Sequence, residues 1–359
     1  MTTKKRQDKL WDAKFIKTLK KLVPGTPLRE GLENILRAKM GVLVLIGNNQ
    51  PLLDVVDGGF ALNCEYTPAG FYELGKMDGA LILSSDLKHI VYANAQLVPD
   101  SRILTTETGT RHRTAERVAK QTGGLVIAIS QRRNLITMYL GDLRYTLKDI
   151  TVSLSRANQA LQTLEKYSKV LGRSLTNLSA LEFEDFVTLL DVAEIVIRAE
   201  HVSRIAMEIE RHVIELGSEG RLVSMQLEEL MSEQDDMELL LKDYCFHGCH
   251  VQQIREQLAL LSEESLEPYT ICRILGYGAT PNILDIPVVP RGYRVLRRIP
   301  RLPMSIVENL VTHFKTLHCI YNATIAELDD VEGIGEVRAK TIKDGLKRVR
   351  EQALMDRNL

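Results

Sequence analysis

Two short runs in this 359-residue chain carry side chains that could do chemistry together: Met77-Asp78-Gly79-Ala80 and, further along, Gly109-Thr110-Arg111-His112-Arg113-Thr114. They supply one carboxylate for a divalent cation, two guanidinium groups and an imidazole for phosphates, and small residues that let backbone N–H groups approach a nucleotide. That set suits phosphoryl chemistry on ATP. Mg²⁺ commonly takes only one or two protein carboxylates and completes its shell with phosphate oxygens and water, so Asp78 alone suffices once ATP is present. By composition Asp-Gly-Ala is otherwise a turn. Arg111 and Arg113 flank His112 immediately before a predicted helical stretch, Thr114–Gln121. A helix start offers free N–H groups and a partial positive charge. Cations there oppose the macrodipole, and that unfavourable placement makes sense if an anion is expected.

These residues must be held by a sheet. Short apolar runs at Val42–Ile46, Ala80–Leu83, Ile90–Tyr92, Leu125–Ile129 and Leu135–Tyr139 predict five strands, interleaved with helices over Leu10–Leu22 and from Thr26-Pro27 to about Lys39. Asp78 then lies at the start of a strand, and strand ends of open α/β sheets are where ligands usually bind. From Leu147 the apolar residues recur at three and four, predicting helices through Leu164 and over Leu181–Glu200, Ile205–Leu216, Leu222–Met231 and Met237–Leu241. Gly276-Tyr277-Gly278, Pro281, Pro287 and Pro290-Arg291-Gly292 close this region. A tail of short helices follows: Ser305–Phe314, Thr324–Leu328 and a basic helix Glu336–Arg350 after a tight Val331–Gly335 turn. The expected architecture is multidomain α/β plus all-α: a mixed sheet flanked by helices over residues 1–147, a bundle-like helical domain over 148–290, and a small helical domain over 291–359.

Net charge is −1 overall, but +7 over residues 1–150, −12 over 151–290 and +4 over 291–359. Basic ends around an acidic middle fit phosphate-bearing partners at both ends. Five scattered cysteines argue against a disulfide framework. No run of about 18 apolar residues appears, and nothing behind Met1-Thr2-Thr3-Lys4-Lys5-Arg6 resembles a signal peptide, so a cytoplasmic protein is expected. Neither the P-loop nor the Gly-x-Gly-x-x-Gly fingerprint is present, so ATP would be bound without either common cradle.

Lys76–Ala80 together with Glu107–Arg117 resembles the bacterial diadenylate cyclase domain, whose signature is the Asp-Gly-Ala and Arg-His-Arg pair. The resemblance extends through Ala157-Asn158-Gln159-Ala160, Pro290–Arg294 and the Gly-Ile-Gly tail, to cyclases joined to a helix-hairpin-helix DNA-binding domain. It implies condensation of two ATP into cyclic di-AMP with Mg²⁺ or Mn²⁺. Asp78 would serve the metal and the 3′-hydroxyl, Gly79 and Leu97 would approach the adenosine through backbone groups, and Thr110, Arg111, His112, Arg113 and Thr114 would hold the phosphates. Leu97 on its own reads as core. Ser130, at a strand end, is a further candidate for a phosphate or ribose contact, and Arg132 and Arg133 could extend the anionic site. One chain carries one Asp78 and one Arg-His-Arg, so a two-fold symmetric product implies two half-sites facing across an isologous contact. The resemblance further implies a homo-octamer associated with the nucleoid that binds branched or junction DNA and acts as a sporulation and DNA-damage checkpoint.

In the tail, Gly333 and Gly335 would let backbone N–H groups meet a DNA phosphate, Ile334 would anchor the hairpin, and Arg338, Lys340, Lys343, Lys347 and Arg348 would add charge for sequence-independent binding. The Leu302-Pro303-Met304 turn stands where a first hairpin would be but lacks its glycines. Cys245-Phe246-His247-Gly248-Cys249-His250 has no second ligand pair and reads as buried thiols beside partly exposed imidazoles. Two other readings compete. One is a DNA-junction scaffold whose first domain only oligomerises. The other is a helix-hairpin-helix repair nuclease or polymerase accessory, of which the nuclease lacks the carboxylate cluster for two metals.

Overall fold

The computed structural model describes residues 11–232, 236–246, 249–278 and 282–357; Pro281, His247 and the Met1–Arg6 start lie outside them. Eight strands form one sheet: β1 Leu43–Ile46, β2 Val56–Asp57, β3 Phe60–Glu65, β4 Ala80–Leu83, β5 His89–Leu97, β6 Leu125–Ser130, β7 Leu135–Leu140 and β8 Leu143–Thr146. Their order is β2-β5-β4-β1-β6-β7-β8, with β3 also paired to β5. Among the described residues only β1 and β4 pair in parallel, and the other strand pairs are antiparallel.

The central strands are apolar on both faces because both are covered. Val44, Leu81, Ile127 and Met138 face one core with Phe15, Leu32, Ile35 and Phe71 from the helices Ala13–Leu19, Pro27–Arg37 and Pro68–Leu74. Leu45, Ile82, Val126 and Tyr139 face the other with Ala115, Val118 and Ala119 from the helix Thr110–Thr122. Two of these helices begin as their sequence dictates: Thr26 and Thr67 cap Pro27–Arg37 and Pro68–Leu74 with their side chains, each followed by proline in the first turn.

Three strands exceed the five expected. β2 spans two residues, β3 is exposed along its whole length, and β8 carries Arg144, so none shows the apolar run that marked the others. The expected helix over Leu181–Glu200 is also divided. One helix, Ile150–Glu184, ends where Asp185 turns to φ +56°, and a second, Leu189–Leu216, begins after it. Thr188 and Asp191 make the new start: Asp191 Oδ2 accepts from the Thr188 amide at 2.9 Å, and Thr188 Oγ1 accepts from the Asp191 amide at 3.4 Å.

The chain folds as two compact units, one from residues up to Gln159 with Ile209–Met225, the other from Ala160–Glu208 with Gln226 onward. In the first, Tyr145 and Lys148 bind Glu215, Lys148 at 2.9 Å, tying the sheet to the returning helix. The second contains the helices Asp236–Tyr244, Val251–Leu260 and Pro268–Ile274, and a tail of Tyr293–Arg297, Met304–Phe314, Leu317–Asn322, Ile325–Asp329 and Glu336–Asp356 around its own core of Val295, Leu296, Val307, Leu310, Ile320 and Ile342.

Candidate active site

Since β4 runs parallel to β1 and β6 antiparallel to it, the starts of β1 and β4 and the end of β6 share one edge of the sheet. Asp78 and Gly79 precede β4, Gly41 precedes β1, and Ser130 closes β6. The residues therefore gather at the amino ends of the parallel pair, not at the carboxyl ends where open parallel sheets usually bind ligands.

Asp78 stands in the turn after the Pro68–Leu74 helix with its side chain fully exposed. Its one partner among the described residues is Arg111, whose Nη2 lies 3.5 Å from Oδ1. Gly79 is held by a residue that sequence reasoning missed. Its amide donates to Asn94 Oδ1 at 3.0 Å, and a Cβ on Gly79 would stand 2.4 Å from the Asn94 carbonyl carbon. Asn94 lies within β5 at φ +54°, where the β4–β5 register shifts. Close backbone approach thus excludes any side chain at Gly79 and fixes the turn that presents Asp78.

The helix that carries Arg111, His112 and Arg113 starts at Thr110, not at Thr114 as expected. Gly109 is its N-cap without a side-chain bond, and the first helical bond runs from the Arg113 amide to Gly109 O. Thr110, Arg111 and His112 therefore precede that bond in the first turn, where amides without helical partners and the dipole favour an anion, and Arg113 and Thr114 follow directly. Gly41 leaves room for Arg111, since a Cβ there would lie 2.8 Å from its Nη1. Leu97 is buried in the core on the face covered by the Thr110–Thr122 helix, and Ser130 Oγ accepts from the Arg133 amide at 3.2 Å.

The segment ahead of the helix is strapped to it. Arg117 Nε and Lys120 Nζ donate to the carbonyls of Ile103 and Leu104 at 2.9 Å each, Gln121 Oε1 accepts from the Asp100 amide at 2.8 Å, and Glu116 accepts from Thr105 and Thr106. His112 Nδ1 lies 3.1 Å from the Tyr139 hydroxyl, which donates to Glu107 Oε1 at 2.8 Å, and Arg144 Nε pairs with the same carboxylate at 2.6 Å. Burial holds the His112 imidazole below its usual pKa. Replacing Arg111 by Ala should weaken ATP binding at least tenfold, because a charge-assisted hydrogen bond is worth roughly 1.5–3 kcal/mol. Calorimetric titration with ATP checks this, and unchanged affinity would reduce Arg111 to a surface cation.

Among the described residues no group of three or more His, Cys, Asp or Glu could hold a metal ion by itself. Asp78 nevertheless fits a cation shared with substrate phosphates, which needs one exposed carboxylate and room for other oxygens.

Residues 29–143 match the family model for the DisA bacterial checkpoint controller nucleotide-binding region, and residues 147–284 match that for the DisA bacterial checkpoint controller linker region. A DNA integrity scanning protein DisA from Carboxydothermus hydrogenoformans is 57% identical over 345 residues, covering 95% of this chain and 98% of the relative. The protein of the same name from Clostridium botulinum strain Kyoto is 55% identical over 348 residues, 96% of this chain and 98% of the relative. The chain belongs to the DisA family. Asp78, Gly79, Leu97, Thr110–Thr114 and Ser130 all fall within the family's nucleotide-binding region, and the helices Ile150–Glu184 and Leu189–Leu216 fall within its linker region. No helix among the described residues is long and apolar enough to cross a membrane.

In the tail of this DisA-family chain, Gly333 takes φ +81° and Gly335 is the N-cap of Glu336–Asp356 without a side-chain bond. Ile334 is buried in the tail core, while Arg338 and Lys340 are exposed, Arg338 reaching back to the Gly333 carbonyl. Lys343 is placed differently from its neighbours. Its ammonium donates to the carbonyls of Tyr321 and Ala323, closing the end of Leu317–Asn322. Pro290–Arg294, quoted above for its resemblance, proves to be an anchor: Asp243 accepts from the amides of Gly292 and Tyr293 at 2.7 Å and of Arg294 at 3.0 Å, and the buried Arg294 pairs with Glu182. Cys245 is buried and takes a contact from Arg291 Nη1 at 3.4 Å, and Cys249 is half-buried.

Proposed function

We propose that the protein is a diadenylate cyclase, condensing two ATP into cyclic di-AMP and two diphosphates at a contact between two copies of the chain. The observation that carries the reading is a site that is half complete: Asp78 is fully exposed, Arg111 is its one partner among the described residues, and the next-door helix start is open to an anion. Exposed Phe60 and Leu62 on β3, with Met77, Val98 and Leu104 nearby in the chain, give the same unit an apolar surface suited to a second copy.

Each ATP lies with its polyphosphate on the Thr110–Thr114 turn and its 3′-hydroxyl toward the α-phosphate of the other. The hydroxyl oxygen forms the new P–O bond, its proton leaves, and diphosphate departs, once at each half-site. Arg111 and Arg113 offset the charge that develops on the phosphate, and the Gly79 turn keeps Asp78 aimed outward. Asp78 would hold Mg²⁺ or Mn²⁺ together with phosphate oxygens, and the ion supplies further charge stabilisation.

The tail is the DNA contact, with Gly333, Gly335, Arg338 and Lys340 meeting phosphates irrespective of base sequence. The cyclase acts in the cytoplasm, as an octamer on the nucleoid, and branched DNA held by several tails lowers its output so that the second messenger reports DNA integrity. Incubating the full chain with ATP and Mg²⁺ or Mn²⁺ should yield cyclic di-AMP, and junction DNA should reduce the rate more than an equal mass of linear duplex. No product with either metal would reject the cyclase, and equal rates with both DNAs would reject the coupling.

A further inference from the structure

The hydrogen-bond chain behind His112 decides which of its nitrogens faces the nucleotide. Tyr139 has one hydroxyl proton, and it is spent on Glu107 Oε1 at 2.8 Å. Glu107 is an acceptor that Arg144 also holds, at 2.6 Å. The Tyr139 oxygen can then only accept from His112 Nδ1, 3.1 Å away, so Nδ1 carries the ring proton and Nε2 is left with a lone pair. The opposite ring edge lies at the helix start, since Cδ2 comes within 3.7 Å of where a Cβ on Gly109 would stand. A bare lone pair there repels a phosphate oxygen. An Nε2–H would donate to it.

We propose that Tyr139 and Glu107 are positioning residues that lock His112 as the Nδ1–H tautomer, so that ATP binding must place one proton from solvent on Nε2. The product of that step is an imidazolium with both nitrogens donating, Nδ1 to Tyr139 and Nε2 to a phosphate oxygen, and its charge is balanced by the polyphosphate. The groups that bear on the ring are Glu107 from the segment before the helix, Tyr139 from β7, Arg144 from β8 and Arg133 from the β6–β7 turn. Burial is the largest influence and holds the free imidazole below its usual pKa; Glu107 opposes it, and Arg144 and Arg133 act with it. Burial and the bond to Glu107 both raise the Tyr139 hydroxyl, which therefore remains a phenol. Nucleotide binding consequently becomes weaker as pH rises, by up to about tenfold per pH unit between the pKa of the free imidazole and that of the bound imidazolium.

The proposal rests on the nucleotide reading above, and a calorimetric titration separates the two. The full chain is titrated with a non-hydrolysable ATP analogue in buffers of different ionisation enthalpy, which counts the protons taken up. About one proton per nucleotide near pH 8 is expected. No binding would sink the nucleotide reading itself, whereas binding without proton uptake would leave that reading standing and overturn the relay. Tyr139→Phe keeps the ring and removes the hydroxyl, freeing the neutral imidazole to turn its proton to Nε2. Uptake should then fall well below one and the pH dependence of affinity should flatten. Uptake equal to that of the native chain would overturn the role of Tyr139, and the native count decides the proposal if the variant does not fold.

Discussion

Replacing Asp78 by Asn should reduce cyclic di-AMP formation by at least about a hundredfold, while ATP binding to the Arg111 turn and DNA binding by the tail stay close to normal. The loss is of the order seen when one electrostatic group is taken from a developing anion. Asp78 is fully exposed and outside the core, so the change costs the fold almost nothing. The amide keeps the shape but gives up the charge that a hard cation requires. Product assays at saturating Mg²⁺ and Mn²⁺, with circular dichroism as a folding control, make the test. Retention of more than a tenth of the activity would remove Asp78 from its role.

The second large effect is on stability. Arg294 is fully buried, with Nη2 on Glu182 and Nη1 on Ser179 Oγ at 3.0 Å, and Tyr244 donates to the other Glu182 oxygen at 2.7 Å. Arg294→Ala leaves Glu182 charged and unpaired in an apolar surrounding, which costs about 3–5 kcal/mol. At roughly 2–4 °C per kcal/mol for a unit of this size, the melting temperature of the second unit should fall by about 10 °C. Arg294→Met combined with Glu182→Leu should recover part of this loss, because an apolar pair leaves no stranded charge there, although the Tyr244 hydroxyl loses its acceptor. Thermal melts of the single and double variants compare the two, and a double variant no better than the single would show that the network is worth more than its packing. The same contacts explain why point changes at Arg338 and Lys340 test DNA binding more cleanly than deleting the tail, which would strand both Glu182 and Asp243.

Much of the architecture was legible because it rests on period. Runs such as Val42–Ile46 and Leu125–Ile129 read as strands, and the apolar spacing after Leu147 read as helix, since buried faces impose those repeats on sequence. What escaped lacks that imprint. β3 is exposed along its length, so no buried face patterned it. The helix start at Thr110 was hidden because arginines in a first turn run against helix electrostatics, and that cost is accepted only where an anion belongs. Asn94 carries no local signal, since its positive φ falls inside β5 where the register shifts beside the Gly79 backbone, far off in the sequence. Lys343 shows the limit of counting charges: a cation in the sequence does not reveal whether carbonyls within the fold already hold it. The Thr188–Asp191 cap did have a signal, a threonine followed three residues later by a carboxylate, but the helix expected over Leu181–Glu200 ran straight through it.

Asp243 meets the tail through three main-chain amides and none of its side chains. For that contact, heredity can rewrite the side chain of Tyr293 without cost, because every amino acid but proline brings the same N–H. What it cannot rewrite is the path of the chain, and Gly292, held at φ +110°, is the residue through which that path passes. Drift across related sequences should therefore fall unevenly here, sparing the aspartate and the glycine while the residue between glycine and arginine wanders within the needs of its other neighbours. A joint of this kind conserves shape and lets spelling vary.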